Sequence, residues 1–153
     1  MGDRGNIAFI DRCGSMPGST GYTFLYTHWS GSSIGEILQE TLKRRHRWDD
    51  TSYLCRMVFC ELVKGSETEE TGFGISPFMG DNEHVVLLVD CDNHQVSAHR
   101  EEDIREAAIA HILVGSPIRT WTFEEFASLE GSLVESLMHG LWNLGTGLPE
   151  EGE

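Results

Sequence analysis

The sequence predicts a single α+β domain, an antiparallel sheet of four to five strands packed against two central helices, with extra helices towards the C-terminus. Three observations carry this expectation. Strand-like runs pair as hairpins, residues 6–11 with 22–29 and residues 84–90 with 95–99. Two helical patterns, 33–46 and 52–63, lie between those hairpins. At 153 residues, with 39% apolar and 24% charged side chains, the chain can bury one core and has an ordinary globular composition.

The elements follow in order. Residues 6–11 are short, apolar and β-branched, a first strand. Residues 13–21 are dense in Gly, Ser and Pro, a loop. Residues 22–29 are aromatic and β-branched, a second strand. Ser33 stands three residues ahead of Glu36, the capping-box spacing, and Ile34, Ile37, Leu38 and Leu42 recur at helical spacing. This helix closes on Lys43, Arg44, Arg45, His46 and Arg47, cations where the helix dipole favours them. Asp49, Asp50 and Thr51 cap the second helix, 52–63, which Lys64 and Gly65 end.

Residues 72–78 read as an edge strand, because Pro77 cannot donate to a ladder. Residues 84–90 are apolar at consecutive positions, so this strand is central and covered on both faces. An Asp92-Asn93 turn returns the chain as strand 95–99. Residues 101–114 are helical, with Ile104, Ala107, Ala108 and Ile112 along one face. A short strand at 118–122 follows. Thr122 then caps helix 123–129, with Glu125 at the capping-box position, and Gly131 breaks it. Residues 132–144 form a last amphipathic helix carrying Leu133, Leu137, Leu141 and Trp142. The division is therefore an α+β domain over 1–130, a C-terminal helix over 131–145 and a flexible acidic tail over 146–153.

Charge is unevenly spread. The net charge is −14; residues 1–64 carry eight Lys/Arg and seven Asp/Glu, whereas residues 65–153 carry three and eighteen. Direct nucleic-acid binding is not expected, because phosphate repels such a field. Attraction to a protein partner with a basic surface is, although the same acidity also serves solubility. No apolar run reaches the ~20 residues of a membrane span, and the N-terminus lacks the apolar stretch of a secretory leader, so a cytoplasmic location is expected. Cys13, Cys55, Cys60 and Cys91 are scattered without a C-x-x-C pair and read as reduced thiols.

Four groups of residues are candidates for function. His28, Trp29, Ser30, Ser32 and Ser33 gather an imidazole, an indole, hydroxyls and backbone N–H donors where a strand enters a helix, which suits a carboxylate or phosphate ligand. The bland alternative is capping by Ser and a packed Trp. Asp90, Asp92 and His94 alternate along one strand and turn, and so offer two carboxylates and an imidazole to a metal; the alternative is an Asp/Asn turn. Lys43, Arg44, Arg45 and Arg47 suit phosphate, an acidic surface, or the acidic half of a second copy, against a solvated helix end. The acidic helices carry Glu101, Glu102, Asp103 and Glu106, then Glu124, Glu125 and Glu130. No G-x-S-x-G elbow, H-E-x-x-H or P-loop is present, so nucleophilic catalysis is not indicated and no cofactor is expected. Acidic neighbours of Cys91 would also quench it as a nucleophile.

The run Thr27-His28-Trp29 at the end of an aromatic strand, the run Glu70–Ser76 (ETGFGIS), and Phe123-Glu124-Glu125-Phe126 resemble a group of small uncharacterised α+β proteins of bacteria and their phages. The resemblance runs from the first strand to His99. It implies a compact α+β unit and no catalytic assignment.

The function expected from these readings is that of a small acidic interaction module, more in keeping with a non-enzyme. Its carboxylates would steer a basic protein partner and aromatic anchors such as Trp121 or Trp142 would hold it, in one version as an inhibitor of a nucleic-acid-handling system. The alternative is a small-ligand or anion-binding domain, with hydrolysis as an option, using the His28 turn and the Asp90 and Asp92 carboxylates. Self-association through 132–144 is a further expectation.

Overall fold

The computed structural model describes residues 2–12 and 18–131. Six strands form one sheet: β1 (Gly5–Arg12), β2 (Thr20–Thr27), β3 (Phe73–Ser76), β4 (Val86–Asp90), β5 (Gln95–His99) and β6 (Arg119–Thr122). Their spatial order is β3-β2-β1-β4-β5-β6. Among the described residues four α-helices accompany them: α1 (Ile34–Lys43), α2 (Thr51–Leu62), α3 (Glu101–Ala110) and α4 (Phe123–Ala127). The α+β class is as the sequence predicts.

The sheet is mixed rather than antiparallel. β1 pairs with β2 as a hairpin and lies parallel to β4, with Ile7 opposite Leu87 and Phe9 opposite Val89. The reason is burial on both faces. β1 is buried at every position from Gly5 to Ile10, and β4 throughout, so the two apolar strands sit side by side at the centre. The sixth strand is β6, the short run 118–122, which pairs antiparallel with β5 along that edge. β3 holds the other edge, as expected, and ends at Ser76 just before Pro77.

Alternation along the strands divides the core. Ile7, Phe9, Leu25, Leu87, Val89, Val96 and Ala98 face Ile34, Leu38 and Leu42 of α1, Leu54 and Val58 of α2, and Phe123 and Phe126 of α4. Ala8, Ile10, Phe24, Val86 and Leu88 face Ile104, Ala107 and Ala108 of α3 on the opposite side. The helices expected as extra elements towards the C-terminus thus cover the sheet where described: α3 makes a third layer, and α4 packs beside α1. Gln39 of α1 fixes that last contact, its side-chain amide donating to the carbonyls of Leu129 at 2.7 Å and Phe126 at 3.3 Å.

The caps decide where the helices begin. Asp50 caps α2, its carboxylate accepting from the Tyr53 N–H at 3.1 Å. Thr122 and Glu125 form the reciprocal capping box that starts α4. Ser33 makes no such bond; a 3₁₀ turn, Gly31–Ser33, leads into α1 instead. The helix 132–144, its Trp142 and the tail lie outside the described residues.

Candidate functional site

Among the described residues, α3 and the loop after it combine exposed apolar area with unpaired charge. Ile104, Ala107 and Ala108 hold α3 to the sheet, which turns Glu102, Asp103 and Glu106 outward. Among the described residues these three carboxylates have no ion-pair partner, whereas Glu101 meets Arg105 at 3.6 Å. α3 ends at Ala110 because His111 adopts a left-handed conformation, φ 56° and ψ 43°. The Ile112 N–H then bonds the Ala107 carbonyl at 3.1 Å and the His111 N–H the Ala108 carbonyl at 3.3 Å, a Schellman closure.

That closure ends the helix short of the expected 101–114 and takes Ile112 off the face shared by Ile104, Ala107 and Ala108. Ile109, Ile112 and Leu113 are 61%, 53% and 56% exposed. Ile112 and Leu113 border a cleft of about 540 Å³ whose rim includes Asp103 and Glu106. Helical periodicity alone put Ile112 on that face; a non-glycine residue in the left-handed region gives no sequence signal.

Glu124 and Glu125 are committed internally, whereas Glu130 is exposed. Glu124 pairs with Arg45 through both carboxylate oxygens, and Glu125 serves the capping box. Trp121 is half-buried, with its ring edge-on to Phe126 at 5.4 Å.

At the His28 turn the donors are already engaged. The Asp3 carboxylate accepts from the Ser32 N–H at 3.0 Å and from the Ser32 hydroxyl, and lies 2.6 Å from His84 Nε2. Burial works to raise the Asp3 pKa, but these hydrogen bonds outweigh it and hold the carboxyl below its ordinary range. Gly31 permits the approach, since a Cβ there would stand 2.8 Å from the Asp3 carbonyl oxygen. His28 Nδ1 meets the Tyr26 hydroxyl at 3.0 Å, and Trp29, 56% exposed, packs edge-on against the His28 ring. Ser30 and Ser33 make no side-chain cap bond.

Asp90, Asp92 and His94 do not converge. Arg12 binds Asp90 at 2.9 and 3.0 Å and Asp92 at 3.1 Å. His94, with φ 51°, turns away to Asp49 at 2.6 Å and stacks on Phe123. Among the described residues no group of three or more His, Cys, Asp or Glu is placed to hold a metal ion. The basic run is likewise paired. Arg44 meets Glu61, Lys43 meets Glu40 at 3.8 Å, and Arg47 meets Asp50 at 3.9 Å, while the Arg45 guanidinium lies over Trp48.

A second cleft, about 310 Å³, opens on the α3 side of the sheet beyond that helix. Its floor is polar: Arg12 of β1, Asp90 of β4, Gln95, Ser97 and His99 of β5, and Thr120 of β6. Leu113, Val114, Gly115 and Pro117 line it from the loop. Ser97 Oγ lies 2.8 Å from His99 Nε2. His99 is 3% exposed, and its Nδ1 is buried without a hydrogen-bond partner among the described residues. Burial pushes its pKa down to about 4, with Asp103 pulling weakly the other way, so the ring is neutral at pH 7. Of this cleft the sequence reading caught only Asp90. The available signal was the alternation Gln95-Val96-Ser97-Ala98-His99, which gives a central strand one wholly polar face.

Burial likewise raises the thiol pKa values of Cys55 to about 12 and Cys91 to about 11, so both stay protonated. No helix among the described residues is long and apolar enough to cross a membrane. Comparisons with protein-family models, with curated proteins and with solved structures returned no match.

Proposed function

We propose that this chain is a small acidic interaction module that docks a protein partner with a basic surface on α3 and the loop that follows. The supporting observation is the shared cleft of Ile112 and Leu113, each more than half exposed, with the unpaired carboxylates of Asp103 and Glu106, flanked on α3 by the exposed Ile109 and Glu102. Apolar side chains rimmed by charge are the usual make-up of a binding patch. The carboxylates steer the approach and the isoleucines and leucine supply the desolvated contact. A partner complementary to it presents apolar anchors flanked by Lys or Arg. Such a partner surface is what a nucleic-acid-handling protein offers to phosphate, and an inhibitor of such a system would use α3 in this way.

The test is a titration of a synthetic amphipathic helical peptide, Lys on one face and Leu on the other, followed by fluorescence anisotropy. Binding should weaken by about tenfold when Ile112→Ser and Leu113→Ser are combined, and should weaken again as salt is raised. Affinity indifferent both to those substitutions and to salt would refute the reading.

A further inference from the structure

On the face of the sheet opposite α3, the chain between α1 and α2 borders a cleft of the opposite charge. It has a volume of about 370 Å³ and is lined by Arg44, His46, Arg47, Tyr53, Arg56 and Met57. No carboxylate is among those side chains. Two local features assemble it. Leu54 and Val58 hold α2 to the core, which leaves Tyr53 and Arg56, three residues apart, together on the outer side of that helix. Beyond α1, Arg45 and Arg47 both take left-handed conformations, φ 56° and φ 60°, which non-glycine residues adopt at a cost. The basic run is thereby parted. Arg45 reaches Glu124 and Trp48, whereas Arg44, His46 and Arg47 border the cleft with Arg56.

The charge of this cleft is only partly answered. Arg44 and Lys64 share a single carboxylate, that of Glu61, and Asp50 stands 3.9 Å from Arg47, beyond hydrogen-bond reach. Among the described residues Arg56 and His46 have no ion-pair partner. Arg44, His46, Arg47, Tyr53 and Arg56 are all exposed, so they are open to an occupant. The Arg47 guanidinium lies over the Tyr53 ring, 4.4 Å from its centre, which fixes one of the forks in place. Three guanidiniums in one cleft discriminate among anions. A carboxylate has two oxygens and is satisfied by one fork. A phosphate monoester has three terminal oxygens and about 1.5–2 negative charges near pH 7, so it accepts from several forks at once. A nucleic-acid strand would extend from the cleft along a chain of net charge −14 and meet repulsion, which a small ester does not.

We infer that this cleft binds a small phosphate monoester, its phosphoryl oxygens on Arg44, Arg47 and Arg56 and its organic group against Tyr53 and Met57. The volume of about 370 Å³ stands at the lower end of small-molecule sites, which suits a phosphoryl group carrying a single ring. Glu61 serves as a positioning residue, since it holds Arg44 at the rim. His46 adds a further donor to the same oxygens.

The test is a ¹H–¹⁵N NMR titration that follows the arginine Nε–H resonances while phenyl phosphate, inorganic phosphate, benzoate and a 5′-phosphorylated single-stranded oligonucleotide are added in turn. Saturable shifts at Arg44, Arg47 and Arg56 are expected with phenyl phosphate, at about tenfold tighter affinity than with inorganic phosphate or benzoate. Arg56→Gln should weaken that binding by about tenfold, whereas Arg105→Gln, the same charge change on α3, should leave it unaltered. Tyr53→Ser should erase the advantage of phenyl phosphate over inorganic phosphate. Arg56 and Tyr53 are exposed, so both variants keep the unfolding temperature of the parent chain. No saturable shift with phenyl phosphate, equal affinity for benzoate or inorganic phosphate, equal losses from Arg56→Gln and Arg105→Gln, or tighter binding of the oligonucleotide would each overturn the assignment. The reading stands apart from the docking surface, since Ile112→Ser with Leu113→Ser tests that surface and Arg56→Gln does not touch it.

Discussion

Arg12, the last residue of β1, grips Asp90, the last residue of β4, through two hydrogen bonds of 2.9 and 3.0 Å across the parallel pairing of those strands. The carboxylate also accepts from the Asp92 and Asn93 N–H groups and the Asn93 amide. The pair thus ties the register of the central strands to the β4–β5 turn, and with it the floor of the His99 cleft.

Removing the guanidinium leaves the Asp90 carboxylate buried without its counter-charge. Arg12→Met should cost about 2 kcal/mol, below the range for a fully buried pair because Arg12 is partly exposed and Asn93 still donates. Urea unfolding at pH 7 measures it, and adding Asp90→Asn should recover part of the loss. Burial alone would raise the Asp90 pKa, but the Arg12 and Asn93 hydrogen bonds hold it below the ordinary carboxylate range. Its contribution is therefore present above the unfolded carboxylate value, ~3.9, and is lost as pH falls through the lower folded value.

His99 acts in a different window with the same sign. Its folded pKa of about 4 lies below the unfolded value, so the unfolded chain takes up the proton first on acidification. Stability should fall between about pH 6.5 and 4, by roughly 3 kcal/mol in all. His99→Phe should flatten that limb of a stability-against-pH curve from chemical unfolding while leaving the steeper loss below about pH 4. An unchanged limb would show that His99 is not the group responsible.

His111 pays the cost of the left-handed residue that ends α3. His111→Gly removes the Cβ penalty and adds some unfolded-state entropy, for a net gain of about 0.5–1 kcal/mol. A rise in the urea midpoint with an unchanged slope is the expected result.

Asp3 serves structure at the His28 turn. Asp3→Ala strips a carboxylate acceptor from Ser32 and a partner from His84, and should destabilise by about 1–2 kcal/mol. Adding acetate or phosphate to that variant should restore part of the loss if the vacated donors take a free anion, as measured by thermal unfolding.

Much of this fold was legible from residue pattern. The runs 6–11, 84–90 and 95–99, the periodic residues Ile34, Leu38 and Leu42, and the Thr122–Glu125 box all stand where local physics put them. Local pattern could not show that β1 and β4 run parallel, because that neighbour is chosen by shared two-face burial across about seventy intervening residues. The surface readings were harder. Glu124 and Glu125 look like Glu102 and Glu106 in sequence, yet Arg45 and a cap consume the first two. The donors around Ser32 look available until Asp3, 29 residues earlier, is brought onto them.

The most direct measurement is site-specific photo-crosslinking in the protein's own cells, with the reactive group placed at Ile109, at Ile112, or at Lys64 at the far end of α2 as a control. Docking on α3 predicts a discrete adduct from positions 109 and 112, absent from position 64, to a protein with a basic surface, and its loss when Glu102, Asp103 and Glu106 are all changed to Gln. Adducts of equal strength from all three positions, or an adduct that survives the three Gln substitutions, would contradict it.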